Sequence, residues 1–127
     1  MRIADTSLLY ALLSENDVHH EEAVRRMEDP ETVLVPSEIW SETVSLIQHR
    51  QGFEVALMAG NDLLKLPHLE LLPSRMDVIK AAWDVYSEAG GVLSFADSMV
   101  LAWCDERNAS PLTFDGKILG YFGAGCR

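Results

Sequence analysis

Short β-branched or apolar runs alternate with longer helix-patterned segments along the chain. No other feature of the sequence constrains the fold as much. "MRIAD" reads as a short buried strand ending at Asp5, and "TVLVP", "LELLP" and "SPLTF" read as three more. Between them lie helical patterns. "TSLLYALLS" follows the first strand, and "NDVHHEEAVRRMED" is a polar amphipathic helix stopped by Pro30. "SEIWSETVSLIQHR" is entered through Ser37 and left at Gly52, with Trp40, Thr43, Val44 and Ile47 as its core stripe. "FEVALMAGNDLLKL" is weakened near Gly60 and closed by Pro67. "SRMDVIKAAWDVYSEAG" carries Ser74 and Asp77 at capping-box spacing and ends at Gly90-Gly91. "SFADSMVLAWCDERN" is a helix, and "DGKILGYFGAGCR" is a tail of mixed character.

A chain of 127 residues suits one domain with one core, residues 1–127. Alternating strands and helices predict an α/β domain with a mostly parallel sheet and helices on both faces. Ligands of such sheets gather beyond the carboxyl ends of the strands. Asp5 and Asp115 both stand at such ends, which makes them candidates for one cleft despite their separation in sequence.

Four carboxylates stand out, each with a plain structural alternative. Asp5 can be the N-cap of the helix that follows it. Glu42 flanks the stripe of its helix, with Glu38 one turn earlier; that pair suits either a solvated face or a bound cation. Asp97 fits a capping box with Ser94, yet it heads an apolar stripe of Val100, Leu101 and Cys104, where a carboxylate needs donors or a metal. Asp115 opens a "DG" turn. Taken together, these acids sit where an α/β sheet gathers its ligands. Oxygen-only donors suit Mg²⁺ or Mn²⁺ rather than zinc. A divalent ion would relieve the mutual repulsion of the carboxylates, activate a water and stabilise charge on a phosphodiester.

The net charge of −10 argues against a broad basic nucleic-acid face and permits a metal-holding acidic site. No secretory leader and no run long enough to span a membrane is legible. The two cysteines, Cys104 and Cys126, form no disulfide framework, so a cytoplasmic protein is expected.

"RIADTSLLYALL", "VPSEIWSETVSLI", "LSFADSMVLAWC" and "LTFDGKI" resemble, in order and spacing, the four signature blocks of PIN-domain ribonucleases. The resemblance is nearest to the compact VapC-type toxins of toxin–antitoxin pairs and covers essentially the whole chain. It implies a PIN-like α/β/α sandwich and a Mg²⁺-dependent endoribonuclease acting on RNA. It also implies Asp5, Glu42, Asp97 and Asp115 as catalytic and metal-binding residues, supported by Thr6 and Thr113. A homodimer and a cognate antitoxin are implied as well; the acidity of the chain suggests that the antitoxin presents a basic segment. Ser7 and Ser98 depart from the asparagine and alanine common at those places, and Glu38 is not part of the pattern.

The remaining candidates read as structural. His19 and His20 are expected on the surface, Cys104 in the core, and Trp40, Trp83 and Trp103 in core or dimer packing rather than base stacking. Arg25, Arg26, Arg50, Arg75, Lys80 and Lys117 are available to guide RNA locally. The alternative within enzymes is a housekeeping RNA-processing PIN nuclease. A receiver-like Mg²⁺ signalling domain would need adjacent acids after the first strand and an aspartate after the second; here only Asp5 and "TVLVPS" are offered. A catalytically dead binding domain would not need to keep the acids.

Overall fold

The structure, a computed structural model, describes residues 1–124. Cys126 lies outside them. Four strands form one sheet: β1 (Arg2–Ala4), β2 (Val33–Pro36), β3 (Leu69–Leu72) and β4 (Ser110–Leu112). Their order is β3-β2-β1-β4, and every pairing is parallel. β1 pairs with β4 from Arg2↔Ser110 to Ala4↔Leu112. The residues that follow, Asp5 and Thr113, therefore emerge side by side at the carboxyl edge. Ile3, Ala4, Val33, Leu34 and Val35 are buried, as parallel strands covered by helices require.

Seven helices surround the sheet among the described residues: α1 (Thr6–Leu13), α2 (His20–Glu28), α3 (Ser37–Gln51), α4 (Phe53–Leu64), α5 (Met76–Ala89), α6 (Phe95–Arg107) and α7 (Gly116–Gly123). α6 is the core helix, with every residue from Ser98 to Cys104 buried, as its unbroken apolar run predicts. Trp103 is fully enclosed in it, flanked by the guanidinium groups of Arg75 and Arg107.

Several local expectations hold. Gly52 takes φ +94° and its N–H closes α3 on the Gln48 carbonyl, a conformation few other residues adopt. Gly90 ends α5 in the left-handed region. Others are revised. α2 begins only at His20, because residues 14–19 form turns in which the Asp17 side chain accepts the His19 N–H. Ser37 does not cap α3, and Ser74 and Asp77 do not form a capping box at α5. The two serine hydroxyls are bonded to each other, and Ser74 also donates to Glu38, while Asp77 pairs with Arg75. α4 runs through Gly60 without a break; the indole of Trp40 comes within 3.6 Å of where a Cβ would stand. The mixed tail is a helix, α7, capped by Asp115 and anchored by buried Ile118. No helix among the described residues is long and apolar enough to cross a membrane.

Candidate active site

The site is built at the carboxyl edge of β1 and β4. Asp5 leaves β1 there, only 3% exposed. One of its oxygens accepts the Leu8 N–H at 3.0 Å, which makes it the N-cap of α1. Ser7 donates its hydroxyl to both carboxylate oxygens, and Thr113, from the end of β4, donates to the second. No basic side chain reaches Asp5 among the described residues. Burial pushes its carboxyl above the usual carboxylate range, against the three hydrogen-bond donors that favour the charged form; the nearby negative charge of Asp97 raises it further.

Thr113 extends the connection. Its oxygen accepts the Asp115 N–H at 2.8 Å, so a single hydroxyl lies between the first acid and the last. Asp115 in turn accepts the Lys117 N–H as the N-cap of α7. Ser7 accepts the Phe114 N–H at 3.0 Å and fastens the start of α1 to the strand-to-helix turn after β4. The Phe114 ring stacks on His19, with centroids 4.4 Å apart, and lies under the Arg26 guanidinium; Arg26 also donates to the Thr113 carbonyl. His19, expected merely on the surface, thus buttresses the turn that carries Asp115.

Asp97 is half-buried in the first turn of α6 and completes the capping box, accepting the Ser94 N–H while Ser94 accepts its own. Its negative charge is felt at Asp5, whose carboxyl it helps to raise. Glu42 stands on exposed α3 and accepts the hydroxyl of Thr6, the neighbour of Asp5. Glu38 is held elsewhere, by Ser37 and Ser74.

Of the four sequence-predicted acids, Asp5 is buried and Asp115 half-buried at the carboxyl edge of β1 and β4, whereas half-buried Asp97 lies in α6 and exposed Glu42 in α3. The structural alternatives raised by the sequence are realised too, since Asp5 and Asp115 cap helices and Asp97 completes a capping box. In these rotamers no three of the acids converge tightly enough to form a ready-made ion cage among the described residues. The residue that sequence reasoning underrated is Ser7. It was legible only as a departure from an asparagine, yet its hydroxyl joins Asp5, Thr113 and Phe114.

The fold is thus an all-parallel α/β sheet with carboxylates standing beyond two adjacent strands. The chain belongs to the PIN-domain family, a nuclease family, whose model matches residues 2–120. No curated protein matches it in sequence. Among solved structures it is similar to VapC20 of Mycobacterium tuberculosis, described as a sarcin–ricin loop cleaving toxin, with TM-score 0.85, 24% identity and 94% of each chain covered. It is also similar to a chain of a toxin–antitoxin complex from Klebsiella pneumoniae, with TM-score 0.69, 18% identity, and 94% of this chain and 90% of that one covered. VapBC2 from Rickettsia felis, bound to a DNA fragment from its promoter, gives TM-score 0.71 at 11% identity, covering 94% of this chain and 89% of the other. At these identities the likeness is one of fold.

Proposed function

We propose that this chain is a divalent-metal-dependent endoribonuclease and the toxin of a toxin–antitoxin pair. The observation that carries the reading is Asp5: a nearly buried carboxylate with no cationic partner among the described residues, coupled to a second acid and bridged to a third through Thr113. A carboxylate in that position is costly without a compensating charge. Asp5, Glu42, Asp97 and Asp115 offer only oxygen donors, which fits Mg²⁺ or Mn²⁺. When bound, the ion supplies a water of lowered pKa and neutralises charge developing on the phosphodiester.

The protein's own part is positional. Thr113 and Ser7 fix the plane of the Asp5 carboxylate, and Thr6 restrains Glu42. Asp97 and Asp115 would hold the ion together with Asp5 and Glu42, and the helices next to them are anchored by buried Met99 and Ile118. The short carboxyl-edge turns hold the acids on rigid elements, the arrangement that a pre-organised site needs.

An antitoxin partner is supported by the toxin–antitoxin neighbours and by two surface features. One is the acidity. The other is the apolar face of α4, where Phe53, Leu57 and Leu64 are exposed. An amphipathic segment with basic ends suits both, and an arginine from it can compete with the metal for the carboxylates. A homodimer belongs to the same proposal. The test is RNA cleavage by the purified chain in Mg²⁺ or Mn²⁺ and in EDTA, alone and after co-expression with the product of the adjacent gene. Cleavage unaffected by EDTA would discard the metal. Cleavage with no inhibiting neighbour would favour a housekeeping nuclease.

A further inference from the structure

An open groove of about 510 Å³ runs between the connection from α5 to α6 and the face of α7. It is lined by Val92, Gly116, Lys117, Gly120, Tyr121 and Ala124. Its two walls belong to chain segments that carry acids. Val92 lies in the loop entering α6, whose first turn carries Asp97, and Gly116 directly follows Asp115. Gly116 and Gly120 stand on successive turns of α7, and a Cβ at either position would meet no atom within 4 Å. Neither glycine puts a side chain into the groove. It falls within the range of small-ligand clefts, about 300–1,000 Å³.

We propose that this groove holds one unpaired nucleobase of the RNA, next to the bond to be cut. The inference rests on the nuclease reading and adds to it a subsite for one base. A flat base fits a floor of bare helix backbone between the apolar wall of Val92 and the ring of Tyr121; base recognition in RNA relies on splayed bases against such surfaces. Lys117 is the groove's charged lining residue and makes no ion pair among the described residues. Its ammonium is available to the phosphate of the seated nucleotide, in a protein whose surface is otherwise strongly acidic. The closeness in sequence of Gly116 to Asp115 favours RNA over a second copy of this chain.

The test fills the groove. Gly120→Leu places a side chain in open space, so the helix should tolerate it, and Gly120→Ala serves as the milder version. The affinity of a short labelled single-stranded oligoribonucleotide is measured by fluorescence anisotropy in Ca²⁺, with an RNA duplex alongside. Gly120→Leu should weaken single-strand binding about ten- to a hundredfold, the value of one lost stacked base. Lys117→Gln should reduce the slope of log affinity against log salt by about one. A melting-temperature rise with Mn²⁺ equal to the parent's shows that the variant is folded and its acidic edge intact. Unchanged affinity in a folded Gly120→Leu overturns the groove while leaving the nuclease reading in place. A parent that binds no RNA of either form overturns both. A parent dimer that becomes a monomer in Gly120→Leu makes the groove an interface between copies and overturns the base subsite.

Discussion

Thr113 donates its hydroxyl hydrogen to Asp5 across 108 residues of sequence and accepts the Asp115 N–H with the same oxygen. The group is buried, so both bonds are formed without competition from water. Thr113→Val keeps the shape and removes both. Leaving buried partners unsatisfied costs about 1–3 kcal/mol, and a similar loss at the transition state is roughly a ten- to hundredfold fall in cleavage rate. Thr113→Ser should keep most of the activity. Chemical denaturation and initial rates check both variants; a fully active valine variant would mean that the hydroxyl positions nothing.

Asp5 makes stability depend on pH in a definite direction. Burial raises its carboxyl in the folded protein above the ordinary value of 3.8. The folded state therefore keeps this proton at pH values where the unfolded chain has lost it. The group's contribution to stability is fully present below the unfolded pKa and is lost as pH rises through the folded one. At neutral pH the metal-free protein bears the penalty of a buried charge. Asp5→Asn removes that penalty and leaves one oxygen to accept the Leu8 N–H. In EDTA the asparagine variant should melt above the parent at neutral pH, and the gap should close as pH falls toward 3.8. A gap that widens on acidification would contradict the assignment. Activity should be abolished throughout.

Mn²⁺ should raise the melting temperature of the parent and leave that of Asp5→Asn nearly unmoved. An ion bound by the native state alone adds about 2.7 kcal/mol at a hundredfold excess over Kd. No shift at millimolar metal would count heavily against four-acid coordination.

Asp97→Asn separates capping from chemistry. Asparagine can still accept the Ser94 N–H, so the fold should be retained, whereas Asp97→Ala should cost about 1 kcal/mol through the lost cap. Both should fail to cleave RNA. Glu38→Gln, whose side chain is engaged with Ser74, should retain most activity. Normal cleavage by Asp97→Asn would reduce Asp97 to its cap.

The alternation of strands and helices was legible because parallel strands and a core helix are written as local composition. "TVLVP" became β2, and the apolar run after Asp97 became the body of α6. The placing of Asp5 and Asp115 beyond neighbouring strands could be anticipated from the rule that strand ends gather ligands. What resisted reading was decided by contacts distant in sequence. Ser74 looks like a cap in its own segment, but Glu38, 36 residues away, claims its hydroxyl. Ser7 gives no local sign of its tie to Phe114, 107 residues on. α7 was obscured by Gly116, Gly120 and Gly123, which lower helix propensity; Asp115 and buried Ile118 decide the matter.

Asp5 and Asp115 also start helices and Asp97 completes a capping box, whereas Glu42 does neither. This asymmetry bears on how such a gene would decay once its activity is no longer wanted. Drift at Asp5 or Asp115 is restricted to residues that still begin a helix, so inactive descendants should carry asparagine or serine there and remain folded. Glu42, on an exposed helix face, is under no such restraint and should be the first acid to vary. A lineage losing its nuclease would therefore fall silent before it falls apart, and the replacement found at each acid would record the order of events.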